Sequence, residues 1–429
     1  MSAVIELRDA AANALERLRE RGFQEAQATA VSTVQDEVNI ALTEPSLLRS
    51  TDSRRLGLVG IVDGRRAATE LTDLRDEAVR EGVEALLAAA KAAPPDEANK
   101  VSSGQRARIV QGPMEADLDL LTAKASELLD FCRTQSPRVN IGEGLVAHTL
   151  TRSQTLTTGG SDLETSVGHF SMGFFGTARE GRKASGFAER SGTANELAAR
   201  HASEYFGIGE VLRDLERSIH ARPVAGKFTG DVVLTPEAVS DFLGWFLGQL
   251  CDAPLIAGSS LYRDKVGTAV GSKRLTLRSR FDAPGVAAVT GDGFVASPVT
   301  VLDQGILETL TPSLYGSLKT GLKHTPTAAG GWELLPGDTP LETMVSDTQR
   351  GALVGRLSMG MPVASGDFAG VIKSAFAVEG GSVGDALSET MISGNVARML
   401  NDVIAVSRER LDTGTWLLPW VRIGGLHFS

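Results

Sequence analysis

Apolar residues at Leu7, Ala11, Ala14, Leu15 and Leu18 recur at helical spacing and predict one helix over 7–21, closed by Gly22. From 26 to 72 the period falls to two, as in Val59-Gly-Ile-Val62, and Asp63-Gly64 beside that run signals a hairpin. Helical spacing returns over 73–93, with Leu74, Val79, Val83, Leu86, Leu87 and Ala90 inward, until Pro94-Pro95 stop it. The polar stretch 94–113 reads as a linker.

A second passage repeats this outline. Leu118, Leu121, Ala125, Leu128 and Leu129 define a helix over 117–131, and strand-like segments follow near 145–156 and 166–177. Thr193-Ala-Asn-Glu196 resembles a capping box and predicts a helix to about Phe206; another helix runs over 210–221, before Pro223. The regions 1–93 and 114–222 therefore predict a duplicated helix–antiparallel sheet–helix unit, with helices on one sheet face.

Past Pro223 the pattern changes. Thr235 and Pro236 open one apolar helix to Leu250; beyond it short β-rich segments at 275–281, 299–302, 306–310, 371–378 and 416–423 alternate with glycine turns. Asp303-Gln-Gly305 and Glu379-Gly-Gly381 are hairpin connections. The predicted class is α+β, with a mainly β domain over 223–429 built as a curled sheet or barrel.

Composition narrows the functional classes. Lys+Arg 43 against Asp+Glu 53 gives a net charge of −10 in 429 residues, which disfavours nucleic acid as a direct partner. No apolar run reaches membrane-spanning length, and the first residues lack a secretory pattern, so a cytoplasmic location is expected. Two cysteines, Cys132 and Cys251, exclude a disulfide framework or multi-cysteine zinc site, and both read as small core residues.

Motif chemistry is sparse. Gly207-Ile-Gly209 lacks the third glycine of a dinucleotide fingerprint, and neither a phosphate loop nor a Gly-x-Ser-x-Gly elbow occurs. The six histidines are never within five residues of each other, so no helix presents two of them to a metal. His201 with Glu204 reads as a solvated helix face, whereas His324 lies in a loop able to touch a ligand. Asp282, Asp292, Asp303, Asp367 and Glu389 sit at turns, where carboxylates ordinarily accept backbone hydrogen bonds. The arginine and lysine clusters at 54–55, 65–66, 179–183 and 273–280 read as solvated strand edges.

A family resemblance lies in ordered motifs of the second half. Val232-Val-Leu-Thr-Pro-Glu237 and Gly258-Ser-Ser-Leu-Tyr-Arg263 begin the series, followed by Arg280-Phe-Asp-Ala-Pro-Gly-Val286 and Thr311-Pro-Ser-Leu-Tyr-Gly316. Thr327-Ala-Ala-Gly-Gly-Trp332, Gly366-Asp-Phe368, Ser388-Glu-Thr-Met-Ile-Ser-Gly-Asn395 and Leu418-Pro-Trp-Val-Arg-Ile-Gly424 complete it. Together they resemble the TldD/PmbA family, also called modulators of DNA gyrase, on its PmbA or TldE side; 153–196 matches poorly.

The resemblance implies a peptidase assembly in which a TldD-type chain carries zinc through His-Glu-x-x-x-His and a distant cysteine. Those helix positions fall here on Gly244, Trp245 and Gln249, and the cysteine region on 389–395, which has none. The implied role is a non-catalytic, metal-free partner of a TldD-type zinc subunit, with extended peptides or peptide-like intermediates as substrates and no catalytic residue of its own. Two rivals are a scaffold that selects substrates in peptide or natural-product maturation, with 153–196 as the variable element, and a stand-alone homodimeric binding protein. Asp367, Thr390, Ser393, Asn395 and His324 are the candidate chamber-lining residues.

Overall fold

The computed structural model describes residues 2–327, 330–388 and 390–429. Its first half is a single eight-stranded sheet made by two related units. The first unit comprises α1 (Ser2–Glu20), β1 (Glu25–Ala41), β2 (Glu44–Val62), β3 (Arg65–Leu71) and α2 (Asp76–Ala92). After β4 (Arg106–Gln111), the second comprises α3 (Leu118–Gln135), β5 (Val139–Thr157), β6 (Asp162–Glu180), β7 (Lys183–Ala184), β8 (Ala188–Ala194) and α4 (Ile208–Arg217). They meet where β1 pairs antiparallel with β5, from Gln27↔Thr157 to Ala41↔Glu143. The predicted duplication therefore appears as two three-stranded antiparallel units, β3-β2-β1 and β5-β6-β8, joined through their first strands.

Local chemistry explains the boundaries. Asp63 (φ 49°) and Gly64 (φ 71°) form the expected tight turn between β2 and β3, since both central residues need positive φ. Val79, Val83, Leu86 and Ala90 of α2 pack with Leu7, Leu15 and Leu18 of α1 onto Ala26, Ala28 and Ala30 of β1. The same face of β1 continues with Val38 and Ile40 beneath Leu121, Leu128 and Leu129 of α3, so one strand face carries both helix pairs.

Two expectations are corrected. The stretch 94–113 contains β4, which runs parallel to β6 from Arg106↔Asp162 to Gln111↔Val167. No helix opens at Thr193: its N–H donates to Thr413 O (3.1 Å) and its hydroxyl to Pro284 O (3.0 Å), so the capping-box threonine ends β8 instead. Only a short 3₁₀ turn, Ala202–Gly207, follows before α4, and Phe206 at φ 58° breaks it.

The opposite face of the curled, half-barrel sheet is hydroxyl-rich. Thr29 bonds Thr155 (3.1 Å), Thr33 bonds Thr151 (3.4 Å), and Ser153 bonds Thr165 (2.7 Å) across neighbouring strands. Against this face lies 281–296, held by Gln27 donating to Gly291 O and Gln111 donating to Asp282 O.

The second half begins with β9 (Phe228–Leu234), α5 (Pro236–Gly248) and α6 (Asp252–Ala257). It continues through β10 (Leu277–Ser279), β11 (Thr300–Asp303), β12 (Ile306–Leu307), α7 (Leu314–Thr320), β13 (Trp332–Leu334) and α8 (Leu341–Ser346). The last elements are β14 (Arg350–Ser358), β15 (Asp367–Glu379), β16 (Ser382–Leu387), β17 (Met391–Asn395), α9 (Val396–Asn401), β18 (Val403–Asp412) and β19 (Trp416–Phe428). Strands β9, β14, β15, β17 and β19 close on themselves, because β19 also pairs with β9. Closure removes the free edges an open sheet would leave. The barrel-like expectation for this half is met by this five-stranded ring.

Candidate functional site

Helix α5 and its C-terminal end carry Gly244, Trp245 and Gln249, the positions onto which the resemblance noted above would map a metal motif. Thr235 caps only by its position, since its hydroxyl donates to Gly355 O (2.9 Å), while Pro236 begins the helix with a preset φ. Ala238, Val239, Phe242, Leu243 and Phe246 are buried with barrel residues such as Val232, Val354 and Ile372. That packing leaves Glu237, Ser240, Asp241, Gly244 and Gly248 at helical spacing along the less buried side.

Gly244 is exposed, and a Cβ placed on it would meet nothing within 4 Å. Trp245 is half-buried; its ring stands edge-on to Tyr262 at 6.5 Å and packs over Gly366. Gln249 uses its amide oxygen to accept from Leu261 N (3.4 Å), and its carbonyl accepts from the Ser260 hydroxyl (2.7 Å). These residues do not fit a catalytic zinc: a glycine has no donor, an indole N–H has no lone pair to give, and the glutamine oxygen is engaged. Among the described residues no group of three His, Cys, Asp or Glu side chains is placed to hold a metal ion.

The candidate chamber residues fall in separate places. Asp367 and Asn395 face each other across β15 and β17. The Asn395 amide donates to Asp367 (2.8 Å) and Ser365 O (2.9 Å), while its oxygen accepts Arg398 N and caps α9. Hydrogen bonds from Asn395 and Ser365 hold the exposed Asp367 carboxyl below the usual aspartate range. Trp245 joins this group through Gly366, whose Cβ would lie 3.2 Å from the indole and 3.4 Å from Asn395 Oδ1. Ser393 is half-buried and pairs with Ala369 and His427 in the ladders. Thr390 is buried, and its hydroxyl donates to Ser388 O (3.0 Å). Glu389 lies outside the described residues.

His324 sits beside Phe294 and Asp292. Its ring stands edge-on to Phe294 at 4.5 Å, and Nε2 lies 3.8 Å from Asp292 Oδ2 without a hydrogen bond. Asp292 instead accepts from Leu314 N (3.0 Å), which helps seat α7. The loop around His324 lines a separate polar cavity of about 680 Å³. His201 is exposed, and its Nδ1 lies 2.8 Å from the Ser203 hydroxyl. Cys132 is buried inside α3, where burial pushes its thiol up to about 11. Cys251, expected in the core, is exposed at the start of α6; burial of its sulfur raises its pKa nonetheless.

The sequence reading missed the charged groups around the first turn of α5. Glu237 pairs with Arg190 of β8 at 2.8 Å, and the Arg190 side chain is only 10% exposed. Burial raises the Glu237 and Asp241 carboxyls, although Arg190 opposes this at Glu237 and Leu357 N–H opposes it at Asp241. Beside them lies a cavity of about 390 Å³ between β8 and the β18–β19 turn, lined by Ser171, Ser191, Thr193, Ser240, Thr413 and Thr415. Ser191 and Thr193 belong to the poorly matching 153–196 segment, so that segment shapes the cavity wall.

Comparison with known proteins agrees with this architecture. The family model described as the PmbA/TldA metallopeptidase C-terminal domain matches residues 226–429. A "Metalloprotease" of Methanothermobacter thermautotrophicus is 26% identical over 45% of this chain and 45% of its own length. The chain thus spans about half the length of the first curated relatives it matches. A "Metalloprotease PmbA homolog" of Haemophilus influenzae is 23% identical over 98% of this chain and 96% of its own. The crystal structure of TldE from Thermococcus kodakarensis shares the fold, with a TM-score of 0.83 at 20% identity over 97% of this chain and all (100%) of that one. The fold is shared with that structure, and the match to the metallopeptidase C-terminal domain lies in the second half. Through residues 226–429 the chain is similar to the PmbA/TldD family. No helix among the described residues is long and apolar enough to cross a membrane.

Proposed function

We propose that this chain is a TldE-like, non-catalytic subunit of a cytoplasmic metallopeptidase. A TldD-type partner supplies the zinc and the hydrolytic chemistry. This chain completes the substrate chamber and positions extended peptides or peptide-like intermediates. The observation that carries the reading is α5, where Gly244, Trp245 and Gln249 occupy the positions expected for two histidines and a glutamate.

The hydroxyl-lined cavity beside β8 supports a substrate-positioning role, because serine and threonine hydroxyls can both donate to and accept from a peptide backbone. Substrate choice then resides partly in 153–196, which supplies β6 and β8. The direct test is the metal content of the purified single chain after exposure to zinc and desalting. Substoichiometric zinc is expected; near one zinc per chain overturns the metal-free reading.

A further inference from the structure

A second and larger cavity, of about 730 Å³, lies between α4 and strands β14 and β15, a size typical of small-ligand sites. Its apolar surface comes from Phe187, Val211, Val371, Phe376, Leu387 and Trp420. One wall carries Glu204, Glu210 and Asp214. Neither Glu204 nor Glu210 has a side-chain hydrogen bond or ion pair among the described residues, whereas Asp214 pairs with Arg217 at 2.9 Å.

The other side carries Lys373, Arg190 and Arg356, with Glu237 and Glu189 paired to the two arginines. Lys373 has no carboxylate partner among the described residues and rests its ammonium 5.3 Å from the Phe187 ring centroid. Arg190 also lines this cavity. It spends an Nη on Glu237 and keeps Nε, a buried donor, without any acceptor, although its side chain is nine-tenths buried. Buried donors are ordinarily satisfied, so an unpaired guanidinium nitrogen beside a cavity points to an absent acceptor.

We propose that this cavity binds a short peptide with both termini free. Its ammonium end lies among Glu204, Glu210 and Asp214, its carboxylate end beside Lys373 and Arg190, and its side chains against the apolar wall. Unmatched acids and bases in one apolar cavity suit a zwitterion with an apolar body better than a simple ion or a neutral lipid. Burial and the neighbouring Glu210 charge both raise the Asp214 carboxyl, a cost that a ligand ammonium would offset. Such molecules are the chemical class that peptide hydrolysis releases, but the assignment concerns binding by this chain alone.

The test is calorimetric titration of the isolated full chain with leucyl-phenylalanine, its N-acetyl form and its C-terminal amide. The free dipeptide should bind, and blocking either end should weaken binding about tenfold or more, the usual worth of a charge-assisted contact. Glu210→Gln should lower affinity and blunt the effect of acetylation, while Lys373→Met should do the same for amidation. No binding at millimolar dipeptide, or equal affinity for free and blocked forms, overturns the proposal. So does an unchanged response in both variants. Because the readout is binding by the single chain, either result leaves the pairing with a zinc-bearing partner to be judged separately.

Discussion

The Trp245 indole closes over Gly366, whose φ of +88° and missing side chain let the ring come within 3.2 Å of where a Cβ would be. Gly366→Ala combines left-handed backbone strain with contacts to Trp245, Asn395 and Ala397, and should destabilise the protein by about 1–3 kcal/mol. Urea unfolding of the variant measures this, and an unchanged midpoint contradicts the packing described.

Asn395 links β15, β17 and α9 through four polar atoms: its own two, Asp367 Oδ1 and Arg398 N. Loss of this cap in Asn395→Ala should cost about 1 kcal/mol, with the Asp367 carboxyl titrating at higher pH once its amide partner is gone. Denaturant unfolding gives the first quantity and NMR titration of the Asp367 carboxyl the second. Retention of both wild-type values would assign the capping role elsewhere.

Local signals were legible where a short motif had one physical solution. Asp63-Gly64 made its turn, Pro236 opened α5, and the helix faces of 73–93 and 117–131 turned inward as their spacing indicated, apart from Leu118, which is exposed. Thr193 shows the opposite case. The same Thr-x-x-Glu pattern that caps helices ends a strand here, because Thr413 and Pro284, remote in sequence, take its N–H and hydroxyl. Strand β4 was hidden in a polar stretch because its ladder partner is β6, some 55 residues later, from Arg106↔Asp162 onward. Arg190 and Glu237 could not be paired from spacing alone, and neither could the cross-strand hydroxyls of Thr29 and Thr155. An Arg at the outset of a Ser-Gly-Thr strand was the available sign, and it is not specific.

Removing the cation of that pair exposes its importance. Arg190→Met leaves Glu237 three-quarters buried without its counter-ion and should cost about 2–3 kcal/mol, below the range for fully buried pairs because Glu237 keeps some water. Thermal unfolding at neutral pH measures the loss. Most of it should be recovered in acid, where the Glu237 carboxyl is protonated. A loss that does not depend on pH would contradict an ionic origin.

Asp241 gives a pH dependence of opposite sense to the usual carboxylate. Burial raises its folded-state pKa, so the native state holds the proton more tightly than the unfolded chain. Its contribution to stability is present below the ordinary aspartate range, near pH 4, and is lost as pH rises through the raised value. Asp241→Asn keeps an acceptor for Leu357 N–H and cannot ionise. The variant should therefore gain stability relative to the wild type as pH climbs from about 4 to 7. Parallel melting curves with a constant offset would contradict the assignment.

The central claim concerns where the metal resides. This chain and a TldD-type chain from the same organism should be purified separately and together, and zinc content and peptide cleavage measured for all three preparations. The account predicts stoichiometric zinc on the partner, little on this chain, and efficient cleavage only by the pair. Zinc or cleavage in this chain alone would contradict it.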